Sequence, residues 1–179
     1  MRCPNDARPF ENHRGDSLLT RQRVIATLLA AFLILGLAAP SHAKRYNHPS
    51  GFSFSIPSSW NVKTQTDLIT GSTKDNAAAA SFSVPAAGVN VNLLASVADK
   101  EMRKQLKNVR TDKPIHSTVN GLKVTLVDGV GTMSGQTMMF TYGVYSSGNR
   151  SIVCVLLCLK SKFAVHKDEM VKILQSVKG

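Results

Sequence analysis

Gly51-Phe52-Ser53-Phe54-Ser55-Ile56-Pro57-Ser58-Ser59-Trp60 is the stretch on which the fold turns. Phe52, Phe54 and Ile56 share one face, and Ser53 and Ser55 the other, at the two-residue period that a pleated strand imposes. The stretch therefore reads as a first core strand, about Phe52 to Ile56. Pro57 has no N–H to give to a ladder, so the strand stops or bulges there. Trp60, the only tryptophan, stands where the chain turns back. Its large apolar surface makes it a core anchor; an indole facing a ligand is the other reading.

Upstream, Arg21 and Arg23 precede an apolar run of 16 residues, Val24 to Ala39, followed by Pro40 and Ser41-His42-Ala43. A basic flank, an apolar run and small residues before the cut form a signal-peptide pattern, with cleavage after Ala43. The run falls short of the roughly 20 residues that span a bilayer core, though an uncleaved anchor stays open. Met1 to Thr20 is long for the segment ahead of such a run, and reads as an over-long tail or a start-site artefact. The expected organisation is a signal peptide over 1–43 and a single domain over 44–179, exported to the periplasm or beyond. That domain is long enough to bury a core. It carries 17 Lys and Arg against 8 Asp and Glu, a net +9. Such a balance either favours anionic partners, whether lipid head groups, acidic polymers or acidic proteins, or is the plain basic character of many secreted domains. Nucleic acid does not suit an exported chain.

Downstream, Asn61 to Thr66 reads as a second strand, and Asp67 to Thr73 as its partner or a loop. Ser72 to Ala80 reads as a mobile loop. Ser81 to Val84 alternates as a short strand ended by Pro85, and Val89 to Leu93 as another. Ser96-Val97-Ala98-Asp99 resembles a capping box. It predicts a helix over Val97 to Val109, with Ala98, Met102, Leu106 and Val109 toward the core. On the opposite side Lys100, Arg103, Lys104, Lys107 and Arg110 gather within about a third of the circumference. This is the densest charge feature of the chain. It is either a solvated helix back or a docking surface for an anionic membrane or acidic partner.

An antiparallel run follows. Ile115 to Val119 leads through Asn120-Gly121, a hairpin dipeptide, to Leu122 to Thr132. Gly129 and Gly131 inside that strand predict a bulge or bend. After Ser134-Gly135 comes Gln136 to Tyr145, with Met138, Phe140 and Tyr142 on one face. Ser151 to Leu159 is almost continuously apolar, as in a central strand covered on both faces. A last helix is expected over Ala164 to Val177. Its stripe is Phe163, Met170, Leu174 and Val177, and Asp168 and Glu169 near its start suit the macrodipole.

Catalytic motifs are sparse. His48, His116 and His166 stand at no metal-ligand spacing with another His, Cys or carboxylate. The chain lacks a Gly-x-Ser-x-Gly elbow and a phosphate-binding glycine loop. Cys154 and Cys158, four apart in a strand, sit roughly 13 Å from each other. A disulfide needs less than about 7 Å. They read as two buried thiols behaving as small apolar side chains, with an intermolecular bridge or a redox pair as alternatives. No cofactor or metal is expected.

The opening Gly51-Phe52-Ser53-Phe54-Ser55-Ile56-Pro57-Ser58-Ser59-Trp60 resembles the start of the PsbP-like and DcrB-like families, Gly-Phe-x-(Phe/Ile)-x-(Ile/Tyr)-Pro-x-x-Trp. Ile173-Leu174-Gln175-Ser176-Val177 is similar to their closing helix, so the resemblance spans Tyr46 to Val177. It implies an α+β domain: a largely antiparallel sheet with helices on both faces, an α-β-α sandwich. It also implies a secreted, non-enzymatic binding or accessory domain that meets a protein partner in the cell envelope. The motif positions are core and turn positions, so no functional residue comes with it. Two other readings stand beside it: a peripheral binder of anionic membrane through the basic helix, and a hydrolase with dispersed catalytic residues.

Overall fold

A computed structural model describes residues 42–179. All but the last two residues of the expected signal peptide lie outside that range. The strand read from the opening stretch is β2 (Ser53–Pro57), with Pro57 as its last residue. Phe52, Phe54 and Ile56 are buried, as is Trp60, which is 5% exposed. Ahead of β2, within a polar stretch that shows no strand alternation, lies β1 (Ala43–Asn47), antiparallel to it. Its only apolar side chain past Ala43 is Tyr46, which stacks on Phe54 with ring centroids 6.0 Å apart. One aromatic gives no alternation to read.

The main sheet is built from β3 (Asn61–Thr64), β4 (Leu68–Ser72), β5 (Ala78–Ser83), β6 (Lys107–Thr111), β7 (Ile115–Val119), β8 (Leu122–Met133), β9 (Gln136–Ser147) and β10 (Arg150–Leu159). Their order is β3-β4-β5-β10-β9-β8-β6, with β7 also paired to β8. The pairings between these strands are antiparallel. Turn chemistry sets two of the hairpins. Asn120 and Gly121, at φ 50° and 81°, supply the left-handed pair that a tight hairpin needs, as do Ser134 and Gly135 at 50° and 78°.

Three local expectations are corrected. Ser72 to Ala80 is no mobile loop: β4 ends at Ser72 and β5 begins at Ala78. A tight turn joins them, in which the Thr73 hydroxyl donates to Asp75 and accepts from the Ala78 N–H. Val89 to Leu93 is not a strand. The helix α1 is Val91–Gln105, capped by Asn90, whose side chain accepts from the Asn92 N–H at 2.8 Å. The alternation over Val89 to Leu93 is overridden by Leu94, Ala98 and Met102, buried at helical spacing. Asp99 accordingly lies mid-helix, not in a first turn. At the other end the helix stops at Gln105. Leu106 turns extended and buries its side chain, and Lys107 joins β6 opposite Thr132.

The bulge expected in β8 lies instead across from it. The register of β6 slips between Lys107 and Arg110, where Asn108 has φ 52°. The helix α2 (Phe163–Gln175) follows one 3-10 turn, Lys160–Lys162. Asp168 and Glu169 therefore fall beyond its first turn and do not serve its macrodipole. Its stripe includes Ile173, which the sequence reading left out, together with Met170 and the trailing Val177.

The core forms two clusters. The even-numbered β10 side chains Ile152, Cys154, Leu156 and Cys158 pack with Met170 and Ile173 of α2 and with Phe54, Ile56 and Trp60. The odd-numbered Val153, Val155, Leu157 and Leu159 border the other cluster, built on Ala98 and Met102 of α1 with Val127, Met138, Phe140 and Tyr142. The continuous apolar run of β10 follows, since each parity has its own apolar neighbours.

Candidate functional site

The α1 packing stops partway across the sheet. Beside it runs a groove made of two adjoining hollows of about 310 and 370 Å³, which share Ser81, Met102, Gln105 and Val155. The helix supplies one wall with Leu94, Val97, Glu101, Met102 and Gln105. Next to that wall the floor is apolar, with half-buried Val153, Val155 and Leu157 of β10. Further out it turns polar across paired positions: Val155 lies opposite Ser81, Ser81 opposite Thr70, and Thr70 opposite Lys63 at the sheet edge. Leu93 and Val97 on α1 are 57% and 48% exposed.

The five basic residues expected on one helix face are divided by the fold. Lys100, Arg103 and Lys104 are on α1, whereas Lys107 and Arg110 are on β6. Arg103 forms an ion pair with Asp99, which holds its guanidinium pKa up, and also donates to the Val109 carbonyl toward β6. Lys104 pairs with Glu101. Both pairs are exposed and screened by water, so neither contributes much to stability. At about 100° per residue, Lys104 falls nearest Val97, Lys100 points away from the sheet and Arg103 lies on the far flank; the charged side chains that line the groove are Lys63, Asp67 and Glu101. Arg110 reaches a second cavity, of about 390 Å³, shared with Asp112, Asp128, Thr141 and Phe163. Among the described residues Lys100, Lys107 and Arg110 have no ion-pair partner.

The histidines are dispersed. The His48 Nδ1 accepts from the Ser50 N–H, and the His116 Nδ1 lies 3.1 Å from the Thr125 hydroxyl. His166 Nδ1 is 3.3 Å from Glu169 Oε2, the oxygen that also accepts from the Trp60 indole N–H at 3.2 Å. That bond gives the core tryptophan a polar partner at its edge. None of the cavities described above has a histidine in its lining. Among the described residues no three His, Cys, Asp or Glu groups stand close enough to hold a metal ion. Cys154 and Cys158 are free and buried, and burial pushes both thiol pKa values up.

The class these features define is a mixed α+β domain with a mostly antiparallel sheet and two helices. No protein-family model matches the chain, and no curated protein sequence does. Among solved structures it is similar to cyanobacterial PsbP (CyanoP) from Synechocystis, with a TM-score of 0.58 and 9% identity over 80% of this chain and 95% of that one. A protein from Bacteroides thetaiotaomicron aligns at TM-score 0.54 and 13% identity, over 76% of this chain and 48% of its own. The Ran-binding protein Mog1p from Saccharomyces cerevisiae aligns at 0.50 and 8%, over 77% and 95%. At such identities the likeness speaks for the fold alone.

Proposed function

We propose that this protein is a non-enzymatic binding or accessory domain of PsbP-like type, an α-β-α sandwich with one helix on each face of the sheet. The opposite parities of β10 that pack toward α1 and α2 support that layering. We further propose that residues 1–43 direct export and that the domain meets a protein partner in the cell envelope. The observation that carries the binding reading is the groove beside α1. There a central strand keeps Val153, Val155 and Leu157 half-covered, although an apolar strand of this kind is normally sealed on both faces. The neighbours CyanoP and Mog1p add support, the latter being named for binding another protein. Crosslinking the protein in its native cells, at low and moderate salt, tests the reading. One reproducible protein adduct is expected; adducts to lipid alone would count against it.

A second reading is favoured by one observation: Lys100, Lys107 and Arg110 are exposed cations without ion-pair partners among the described residues. It holds that the surface Lys100, Arg103, Lys104, Lys107 and Arg110 seats the domain on anionic membrane, alone or with an N-terminal anchor. Binding to anionic liposomes should then fall as salt rises, because exposed charges are screened over about 8–10 Å. Binding indifferent to salt would remove this reading. A hydrolase with dispersed residues draws no support from the separated histidines.

A further inference from the structure

Three strands close the ends of the main sheet, and two of them are guarded. β3 is four residues long and carries Lys63. β6 carries Lys107 and Arg110 and slips its register at Asn108. Charge, shortness and bulges are what keep a sheet edge from pairing with another chain. β7, Ile115-His116-Ser117-Thr118-Val119, has no charged residue and no proline, and all five residues keep register with β8. Its Ile115 is 56% exposed.

The Asn120-Gly121 hairpin fixes what this edge offers. A two-residue loop makes Val119 and Leu122 a hydrogen-bonded pair, so Ser117 with Val124 and Ile115 with Leu126 are bonded pairs too. His116 and Thr118 then turn their N–H and C=O groups away from β8. Among the described residues no backbone partner meets those groups. Both residues are exposed.

A second copy of this chain fits the edge. Antiparallel pairing about a twofold axis at Ser117 sets His116 of each copy opposite Thr118 of the other. These are the positions whose N–H and C=O groups are free, so four N–H···O=C bonds form. The two Ser117 residues meet on the axis as a non-bonded pair, where side chains come closest and small ones fit. Ile115 of each copy lies opposite Val119 of the other, a pair of β-branched residues that covers the exposed isoleucine. No charged residue enters any of the five pairs.

We propose that the protein forms a twofold dimer by joining β7 to β7 of a second copy, so that two sheets become one. This goes beyond the accessory-domain reading and stands apart from it. Two five-residue strands fall short of the roughly 1,200–2,000 Å² of a standard interface, so the dimer is weak, half-formed at about 0.1 mM.

Sedimentation of the purified protein over a range of concentrations tests it. A monomer–dimer equilibrium is expected. Residues 44–179 carry 17 basic against 8 acidic groups, so two copies repel and added salt should strengthen the dimer. The His116 and Thr118 amides should exchange more slowly as concentration rises. Thr118→Pro removes an outward N–H and no bond to β8, so it keeps the fold and weakens the dimer by about ten-fold or more. Ser117→Lys sets two like charges on the axis and should act the same way, whereas Ser117→Thr keeps the dimer. A protein still monomeric at about 1 mM overturns the proposal. So does a dimer that salt loosens, or one that ignores Thr118→Pro and Ser117→Lys. Crosslinks from β7 in native cells that lead only to a different protein overturn the second copy as occupant and leave the accessory reading standing.

Discussion

Gly129 shows why a residue in a strand can be glycine for reasons its own strand does not reveal. A Cβ there would run into the ring of Phe140 on β9 and come within 2.8 Å of the Arg110 carbonyl. Phe140 is buried, and the Arg110 carbonyl is backbone that cannot swing aside. Gly129→Ala should therefore lower stability by about 1–3 kcal/mol, as overpacking of a filled core does. Urea denaturation followed by tryptophan fluorescence measures it. The presence of two glycines in β8 was legible as a departure from regular strand. Its cause was not, because the colliding ring comes from the neighbouring strand and the colliding carbonyl from β6. The thiols behave in the opposite way. Their four-residue spacing along one strand already argued against a bridge, and the structure buries both in the α2 cluster. Buried, with pKa values pushed up, they should resist iodoacetamide at neutral pH in the folded protein and react on unfolding. Mass spectrometry of the alkylated protein gives the count; rapid native labelling would contradict this burial.

At the scale of elements, the two ends of α1 separate what local chemistry encodes from what packing imposes. Its start is encoded: Asn90 is a good N-cap and accepts from the Asn92 N–H. Ser96 mimicked a cap only because Asp99 followed three residues later. Asn90→Ala should cost about 1 kcal/mol. Ser96→Ala should stay within about 0.5 kcal/mol, as for other exposed sites away from such features. Chemical denaturation of the two variants distinguishes these helix starts, and equal effects would contradict the assignment. The end of α1 has no glycine or proline to mark it. Leu106 leaves the helix to bury its side chain, and Lys107 pairs with Thr132. A strand pairing 25 residues away in sequence ends this helix, so periodicity ran past it to Val109. The same lack of local signal hid β1, whose order comes from pairing with β2.

For the whole molecule, the division of the five basic residues follows from that helix end. Lys100, Arg103 and Lys104 stay on α1, while Lys107 and Arg110 belong to the sheet edge. A single charge-reversal of the expected helix face would therefore perturb two separate surfaces. The proposed export carries its own expected outcome: protein recovered from the envelope should have the intact mass of residues 44–179. A mass retaining the apolar run would favour the anchored alternative.

The sequence by itself determined the first core strand, Trp60 as an anchor, the Asn120-Gly121 and Ser134-Gly135 hairpins, the apolar character of β10 and the net positive charge. Each depends on short-range patterns or on composition: a period of two, a turn dipeptide, a count of charges. Only the tertiary structure decided that β1 exists, that α1 ends at Gln105, that Gly129 accommodates Phe140, and that a groove lies open beside α1. Those features arise where residues distant in the chain compete for the same space. A groove in particular is defined by what fails to cover a surface, and no local pattern along the chain records that.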